Sequence, residues 1–284
     1  MQISLTDNVT RKLVDVLNPA ISEARKVKLA VAFLKYSGFS LIEQSLDKCI
    51  VNDGEIEFLA GLDFRTTEPK VLRMLRQLSD SGYPIKCYCF SDPSIGDTPV
   101  YHPKLYLLMN NEKATISVGS SNLTGGGLRK NVEVNAIIIA DLKEEIVSDI
   151  YGLYNRLKFQ QKRFEPSLEY IERYEEVYER VQKRSIEALR EKTTKAKVTE
   201  LKEKEKVLPK PIPTTSELFG WQKIVYEKLP IGAFRTSDIY RYEEEFQEHY
   251  PENKNIRPKI RQILQQLRAI ELIKNPHRDR WERY

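Results

Sequence analysis

The sequence predicts an α/β protein in which a layered mixed sheet with helices is followed by a smaller, mainly helical domain. Short apolar segments alternate with amphipathic helical segments over the first 140 residues, which is the pattern of a sheet covered by helices. A strongly charged helical stretch comes next, and closely spaced prolines then interrupt the chain. Three further helical patterns follow these prolines, so we expect a second domain near the end of the chain.

The first domain begins with alternating strands and helices. Strands are predicted at Val27–Phe33, Glu55–Ala60 and Ile85–Phe90, because each segment is short and largely apolar. Helices are predicted between them, at Gly38–Cys49 and Glu68–Ser79. The second of these carries its leucines on one face and ends before a glycine and a proline.

Three more strands are predicted further along the same domain. Lys104–Met109 is apolar on both faces, as the interior of a sheet requires, and Lys113–Val118 ends in a turn of small residues. Asn131–Ile139 is predicted as the third strand. The glycines at positions 125–127 predict a loop that lets the backbone approach a ligand closely.

Polar side chains gather at the ends of these strands. His102 and Lys104 lie at the start of one strand, Ser120 and Asn122 follow the next, and Glu133 lies near the start of the third. These residue types supply a nucleophile, a cation for phosphoryl oxygens, small hydrogen-bond donors and a carboxylate that orients the histidine. Such groups can attack a phosphodiester without a metal. The chain has three histidines, and only His102 has these neighbours.

The order of these groups resembles the signature of the phospholipase D superfamily, and in particular its branch of restriction endonucleases. The resemblance rests on a His-x-Lys triplet, a Gly-Ser-x-Asn turn and a later glutamate, which here are His102, Lys104, Gly119, Ser120, Asn122 and Glu133. Met109 stands where the signature has an aspartate, and the nuclease branch dispenses with that aspartate. The resemblance therefore implies a phospholipase D-like nuclease domain over residues 1–160.

The resemblance implies a role for each catalytic residue. His102 attacks phosphorus and forms a covalent phosphohistidine, and Lys104 and Asn122 hold the non-bridging oxygens with assistance from Ser120. Glu133 accepts a hydrogen bond from the far nitrogen of His102 and stabilises the imidazolium. A second histidine must protonate the leaving oxygen. Because the chain has one such triplet, we expect a homodimer that shares a composite active site.

Neither a cofactor nor a metal is implied. No group of Asp, Glu and His residues has the sequence spacing of a magnesium or zinc site. Arg129 and Lys130, which follow the glycines, suit neighbouring phosphates of a nucleic acid. An ordinary solvated loop pair explains them equally well.

Residues 161–213 are predicted to form a charged helical linker that ends in a proline hinge. Apolar residues repeat at helical spacing from Leu168 to Val181. This pattern suits either a dimerising helix or a helix packed on its own domain, and the sequence leaves both open. The prolines at positions 209, 211 and 213 predict a stiff hinge.

Residues 214–284 are predicted to form a winged helix, because three helical patterns precede a hairpin pattern. The expected elements are helices at Leu218–Leu229, Ser237–His249 and Asn255–Ile270, and a hairpin over Leu272–Tyr284 with Pro276 at its turn. The third helix has a face of isoleucines and leucines. A second face carries Arg257, Arg261, Gln265 and Arg268, whose side chains suit guanine and adenine edges in the major groove. An amphipathic helix with a solvated basic face remains the alternative.

This last segment resembles the winged helix of the Dam-replacing family of restriction endonucleases, which act on adenine-methylated sites. The resemblance rests on Tyr250–Asn253 and on Lys259–Arg268. It implies double-stranded DNA as the partner, whereas adenine methylation of the site is left open because related winged helices occur on other endonucleases. Arg280 and Trp281 in the hairpin are candidates for contact with a methyl group or the minor groove, although Trp281 also suits the small core.

The amino-acid composition of the chain limits the classes of protein to which it can belong. No run approaches eighteen apolar residues and the first residues lack a signal-peptide core, so we expect no membrane contact and a cytoplasmic location. The net charge of +5 is compatible with DNA but not diagnostic of it. Three cysteines are too few for a disulfide framework, and buried thiols are expected instead.

The sequence thus predicts a metal-independent DNA endonuclease of a restriction or defence system. Two alternatives come from other classes. One is a different phosphodiesterase of the superfamily, such as a lipid hydrolase or a DNA-end processing enzyme. The other is a non-catalytic DNA-binding regulator that keeps the nuclease scaffold.

Overall fold

The computed structural model describes residues 1–63, 66–91, 100–209 and 213–283, and it divides the chain into two units, Met1–Lys197 and Val198–Tyr284. The predicted fold class, a layered mixed sheet with helices and a second, smaller domain, is confirmed. The middle proline of the expected hinge lies outside the described residues. Within those residues, no helix combines the length and the apolar character that a bilayer crossing requires.

Strands and helices alternate through most of the first unit. They are, in chain order, β1 (Gln2–Thr6), α1 (Leu13–Ser22), β2 (Lys26–Val31), α2 (Tyr36–Phe39), α3 (Glu43–Val51), β3 (Glu55–Gly61), α4 (Pro69–Asp80), β4 (Ile85–Phe90), β5 (Lys104–Met109), β6 (Lys113–Gly119), α5 (Gly125–Arg129), β7 (Asn135–Asp141), α6 (Glu145–Lys158), β8 (Arg163–Phe164) and α7 (Leu168–Arg190). A further helix, α8 (Lys192–Val207), crosses the boundary between the units.

The described strands of this unit form one mixed sheet in the order β1-β7-β6-β5-β2-β3-β4-β8. The neighbours β2, β3 and β4 run parallel, whereas the other pairs are antiparallel. The central strands β2, β3 and β5 are buried over nearly their whole length, as their continuous apolar sequence requires. This arrangement brings the end of β2 beside the start of β5, where His102 and Lys104 lie.

The two faces of the sheet are covered unequally. Helices α1, α3, α4 and α7 pack on one face, where they bury residues such as Leu17, Leu72 and Ile171. On the other face, α6 contributes Val147 and Tyr154 to the core. Burial on that face decreases towards β1, so its last strands are left open to solvent.

We call this open region the apolar sheet end, and it consists of Ile3, Leu5, Val118 and Val134. Leu5 lies opposite Ala136, and Ala136 lies opposite Val118, so these side chains form a row across three strands. Leu5 is 61% exposed, Val134 64% and Val118 42%. Exposed apolar residues this close together commonly mark a contact surface.

Several predicted elements of the first unit need correction. The third late strand begins at Asn135 rather than Asn131, so Glu133 lies in the loop before it. The three glycines form the short helix α5 instead of a loop, because Thr124 caps it by accepting a hydrogen bond from Gly127. The helix expected at Gly38–Cys49 is divided into α2 and α3. Strand β1 and helix α1 are additional to the predicted elements.

Helix α7 packs on its own unit over its first half. Ile171 and Tyr174 are buried, the Tyr174 hydroxyl donates to the carbonyl of Thr67 at 2.9 Å, and Arg73 of α4 pairs with Glu175. The interpretation of a helix packed on its own domain therefore holds for this half. Beyond it, apolar residues such as Leu189 are exposed.

The second unit has the element order of a winged helix. Its elements are a short 3-10 turn (Thr215–Glu217), α9 (Trp221–Glu227), β9 (Gly232–Arg235), α10 (Thr236–Tyr240), α11 (Glu243–His249), α12 (Ile256–Ala269), β10 (Ile273–His277) and β11 (Arg280–Arg283). Helix α12 buries the predicted apolar face, including Ile260, Leu264 and Leu267. The described strands pair in the order β10-β11-β9.

Two details of the second unit differ from the prediction. The expected helix Ser237–His249 is divided into α10 and α11. The hairpin turns at Arg278 and Asp279, where Asp279 has a φ of 59°, and Pro276 lies within β10. Aspartate tolerates this left-handed conformation better than most residues, which explains the position of the turn.

Candidate active site

His102 and Lys104 are held at the start of β5 by a backbone hydrogen bond to the neighbouring chain segment. The carbonyl of Pro103, between them, accepts a hydrogen bond from the N–H of Ala32 at 3.0 Å. His102 is exposed, whereas Lys104 is only 9% exposed. The predicted pair thus presents an accessible imidazole above a largely buried amine.

The Lys104 amine lies against the ring of His102. Its Nζ is 2.5 Å from Nδ1 and 3.0 Å from Nε2 of His102, and 2.9 Å from the His102 carbonyl oxygen. Burial, and then the positive charge of Lys104, lower the pKa of His102. Burial also lowers the pKa of Lys104, and the nearby Glu133 carboxylate offsets part of this effect. The lowered pKa of His102 favours a neutral imidazole at neutral pH.

Phe33, which is not among the predicted site residues, contacts both His102 and Asn122. Its ring meets the His102 ring edge to face, with centroids 5.7 Å apart and an interplanar angle of 76°. Its backbone N–H donates to Oδ1 of Asn122 at 2.9 Å. Because this bond fixes the orientation of the amide, the Nδ2 group of Asn122 is the part that can donate to a ligand.

The turn after β6 depends on a close approach between strands. A Cβ atom on Gly119 would lie 2.2 Å from the carbonyl oxygen of Val134, so only glycine fits there. Asn135, which is 1% exposed, donates to Ser121 Oγ at 2.9 Å and accepts from the Ser121 N–H at 3.2 Å. Buried, fully paired groups of this kind hold the turn that carries Ser120 and Asn122.

Ser120 and Glu133 are bonded to each other. The Ser120 hydroxyl donates to the Glu133 carboxylate and accepts from the Val134 N–H, while Asn131 donates to the second carboxylate oxygen at 3.3 Å. Among the described residues, the expected bond between Glu133 and the far nitrogen of His102 is not formed in a single chain. The Lys104 amine contacts both nitrogens of that ring instead.

Arg129 and Lys130 are exposed at the end of α5. The loop that follows is fastened by Asn8, whose Nδ2 donates to the carbonyls of Gly127 at 2.8 Å and Asn131 at 3.2 Å. The structure therefore fixes the backbone around these two cations. Their side chains point to solvent, which agrees with either interpretation of the pair.

In the second unit, Arg261, Gln265 and Arg268 are exposed on one face of α12. They line a depression of about 590 Å³, together with Asn275 and Arg278 of the hairpin region. The predicted basic face is thus present on the helix that a winged helix uses for recognition.

The other three candidates for DNA contact differ from this set. Arg257 donates to Glu243 at 2.8 Å, so its charge is already paired. Arg280 is exposed on β11. Trp281 is only 7% exposed and its Nε1 donates to Thr236 at 2.9 Å, so the indole packs in the domain core. Trp281 also lines the depression beside Arg261, and its contact with DNA stays a prediction.

Each of the two units matches the model of a known protein family. The model described as "Cardiolipin synthase, PLD-like domain" matches residues 12–157, which is just over half of the chain. The chain belongs to the phospholipase D-like family. A second model, described as "Dam-replacing HTH domain", matches residues 222–283. Both resemblances drawn from the sequence are therefore confirmed.

Solved structures similar to this phospholipase D-like chain include two bacterial proteins. NucT from Helicobacter pylori is 15% identical, with a TM-score of 0.43, and the match covers 55% of this chain and 94% of that one. The phospholipase D family member Nuc from Salmonella typhimurium is 16% identical, with a TM-score of 0.44, and the match covers 58% and 99%. A comparison with curated proteins returned no match.

The pair of domains indicates a phospholipase D-superfamily enzyme that acts on DNA. In the phospholipase D-like domain, Lys104 contacts the exposed imidazole of His102, and Asn122 is hydrogen bonded to Phe33, whose ring meets that imidazole. Among the described residues, no three Asp, Glu, His or Cys side chains are grouped as a metal site would need. The arrangement offers a neutral nucleophile, a cation and amide donors within one small site.

Proposed function

We propose that the protein is a metal-independent DNA endonuclease of a restriction or defence system, which hydrolyses a phosphodiester through a covalent phosphohistidine. The observation that carries the proposal is the contact between the Lys104 amine and the ring of His102. A buried cation beside the imidazole keeps it unprotonated, and a phosphate that enters would be attracted to the same amine.

The proposed reaction has two steps. A ring nitrogen of His102 attacks phosphorus, the new N–P bond forms, and the bond from phosphorus to one deoxyribose oxygen breaks. The His102 of the partner subunit donates its proton to that leaving oxygen. The partner's now neutral His102 then takes a proton from water, whose oxygen attacks phosphorus and breaks the N–P bond.

Lys104 and Asn122 would hold the non-bridging oxygens in both steps. Their donors are aimed differently, because Lys104 lies below the imidazole while the amide of Asn122 is fixed by the Phe33 N–H. The single hydroxyl hydrogen of Ser120 is used in the hydrogen bond that it donates to Glu133. We therefore assign Ser120 the positioning of that carboxylate rather than direct contact with phosphate. Glu133 would stabilise the imidazolium that forms during the reaction.

The proposal requires a homodimer, because the single His-x-Lys triplet supplies only one of the two histidines. The apolar sheet end is the surface that we assign to the subunit contact. It adjoins the site directly: Val118 precedes the Gly119-Ser120 turn, and the Val134 N–H donates to Ser120 at 3.0 Å. A second copy seated there would cover the exposed apolar side chains and bring its own His102 towards the first.

We assign reading of the DNA to Arg261, Gln265 and Arg268 of α12, with Arg280 on the hairpin and Arg129 and Lys130 as further phosphate contacts. Exposure of these side chains supports the assignment. The second domain matches a family described as "Dam-replacing HTH domain". For this reason, adenine methylation is the first property of the DNA substrate that we would vary.

Plasmid cleavage in EDTA tests the proposal, with adenine-methylated and unmethylated DNA and His102→Ala alongside. We expect the wild type alone to cut, and the two DNA preparations to differ in rate. Binding without cleavage on either DNA would contradict the proposal and favour a DNA-binding regulator. Mixing wild-type protein with an excess of His102→Ala then tests whether the active site is shared between subunits. Because a mixed dimer has only one of the two histidines, the cleavage activity per wild-type chain should fall.

A further inference from the structure

Arg163 has an unusual environment close to the candidate active site. It lies on β8, opposite Phe90 of β4, and its guanidinium stacks on two aromatic rings. The guanidinium carbon is 3.9 Å from the ring centroid of Tyr101 and 4.4 Å from that of Phe90. These two rings stack on each other, with centroids 5.4 Å apart and an interplanar angle of 28°. Planar cations bind aromatic faces in this way.

The guanidinium is only partly paired. Its Nε donates to the carbonyl of Leu157 at 3.0 Å, at the end of α6. Its two terminal nitrogens are buried and have no hydrogen-bond partner among the described residues. No carboxylate of the described residues is hydrogen bonded to this guanidinium, and Asp63 acts on it only through its charge. Burial lowers the pKa of Arg163, because the loss of solvation disfavours the charged form. A neutral side chain of similar length would avoid this cost, so stability alone does not explain an arginine here.

Arg163 contacts Tyr101, the residue next to the proposed nucleophile His102. Tyr101 precedes His102 directly, and it is only 5% exposed. Its backbone N–H donates to Asp63 at 3.3 Å, and a Cβ on Gly61 would lie 3.1 Å from its ring. The Tyr101 ring is therefore enclosed on several sides, and the guanidinium covers one of them.

From these contacts we infer that Arg163 is a positioning residue for His102 and acts through Tyr101. The guanidinium packs on the ring of Tyr101, and the Pro103 carbonyl accepts a hydrogen bond from the Ala32 N–H. These two contacts fix the backbone on both sides of His102. The position of the imidazole relative to Lys104 and Asn122 then depends on a side chain about sixty residues further along the chain. The inference rests on the proposed function as far as catalysis is concerned, whereas the positioning itself can be observed without it.

Two measurements on the full chain test the inference with Arg163→Met, which keeps the length of the side chain and removes the planar cation. The first is DNA cleavage, where we expect kcat to fall roughly 10- to 100-fold with KM almost unchanged, because a displacement of about 1 Å has this effect on catalysis. The second is histidine side-chain NMR. The chain has three histidines and the other two lie in the second unit, so only the His102 signals should shift.

Two further variants complete the design. Arg163→Lys keeps the charge but cannot lie flat against two rings, so we expect it to resemble Arg163→Met. Arg156→Met is the matched control, because Arg156 is exposed on α6, and it should behave as the wild type. If Arg163→Met does not fold, Tyr101→Leu removes the same contact from the other side and should shift the same signals.

The outcomes separate the inference from the proposed function. Unchanged His102 signals together with a wild-type kcat would overturn the inference, even if the melting temperature fell, because the arginine would then be structural only. If the wild type cleaves no DNA at all, the proposed function fails. The His102 signals of Arg163→Met would still decide whether Arg163 positions this histidine.

Discussion

The hydroxyl of Ser120 donates a hydrogen bond to the carboxylate of Glu133, which connects the turn after β6 to the loop before β7. The same oxygen accepts from the Val134 N–H at 3.0 Å. A serine in this position orients the carboxylate and is not available as a phosphate donor at the same time.

Replacement of these two residues should therefore have unequal effects. Ser120→Ala should lower kcat about tenfold, since a hydrogen bond to a charged group contributes about 1.5 kcal/mol. Glu133→Gln should lower it roughly 10²- to 10⁴-fold, because the imidazolium loses its counter-charge. Steady-state cleavage rates give both values. Ser117→Ala is the control, since its buried hydroxyl has no partner among the described residues, and an equal loss in all three variants would argue against this division of roles.

The pH dependence of cleavage should follow from the lowered pKa of His102. The ordinary value is 6.5, and burial with the Lys104 charge moves it down. Because one His102 must be neutral and that of the partner subunit protonated, the cleavage rate should fall on both sides of a maximum, with the acid side of the profile below pH 6.5. In Lys104→Met the positive charge is gone, so the pKa of His102 should rise. NMR titration of the histidine signals measures this directly, and an unchanged or lower pKa in the variant would contradict the prediction.

If the apolar sheet end forms the contact between subunits, charged substitutions within it should dissociate the dimer. Leu5→Glu and Val118→Glu place a carboxylate on the exposed row, so both should give monomers that lack cleavage activity. Sedimentation velocity reports the mass, and cleavage is measured on the same samples. Val51→Glu is the matched control, because Val51 is 82% exposed at the end of α3, on the helix that packs on the opposite sheet face. Dimeric, active Leu5→Glu protein would place the contact elsewhere.

Two glycines should respond to alanine in opposite directions. In Gly119→Ala the new methyl group would lie 2.2 Å from the Val134 carbonyl, so the strands must separate and the free energy of unfolding should fall by about 3 kcal/mol. In Gly152→Ala nothing lies within 4 Å of the new Cβ, and the residue is inside α6, so unfolding should cost about 1 kcal/mol more. Urea denaturation compares the two, and equal midpoints would show that the close approach at Gly119 is not rigid.

Arginines on α12 should differ in their contribution to DNA binding. Arg261→Ala should weaken binding of the specific site by about 1–3 kcal/mol, as expected for loss of a contact to a guanine. Arg257→Ala should have a smaller effect, because Arg257 is paired with Glu243 and must break that bond before it contacts DNA. Fluorescence anisotropy at fixed salt concentration measures both. A larger loss in Arg257→Ala would reverse the assignment of the reading face.

Much of the first unit could be predicted from hydrophobic pattern. The bounds of β4 and β5 match the prediction residue for residue, because both segments are short, apolar and bounded by turn residues. The edge strand β1 was missed, since its sequence carries no signal for a partner that lies beyond residue 130. The glycines of α5 were predicted to form a loop for a related reason. The hydrogen bond from the Gly127 N–H to the Thr124 hydroxyl, which caps the helix, cannot be inferred from amino-acid composition.

The candidate site was less predictable than the fold. Residue types and spacing indicated His102, Lys104, Asn122 and Glu133, but the partner of Glu133 depends on where the loop before β7 begins. Phe33 approaches His102, and Arg163 approaches the neighbouring Tyr101, only through tertiary packing. Apolar and basic residues of this kind occur throughout the chain, so no sequence signal distinguishes these two.

The pairing of β1 with β7 has a consequence for how the protein is made. Thr6 and Asn135 are 129 positions apart and hydrogen bonded, so β1 must wait until β7 has been synthesised before the two strands can pair. Closing so long a loop is slow, and contacts of this sequence separation are expected late in folding. Leu5 and Ile3 join the exposed row only at that stage. A nascent or partly folded chain therefore lacks the surface through which we expect subunits to associate, and cutting should begin only once the whole sheet has formed.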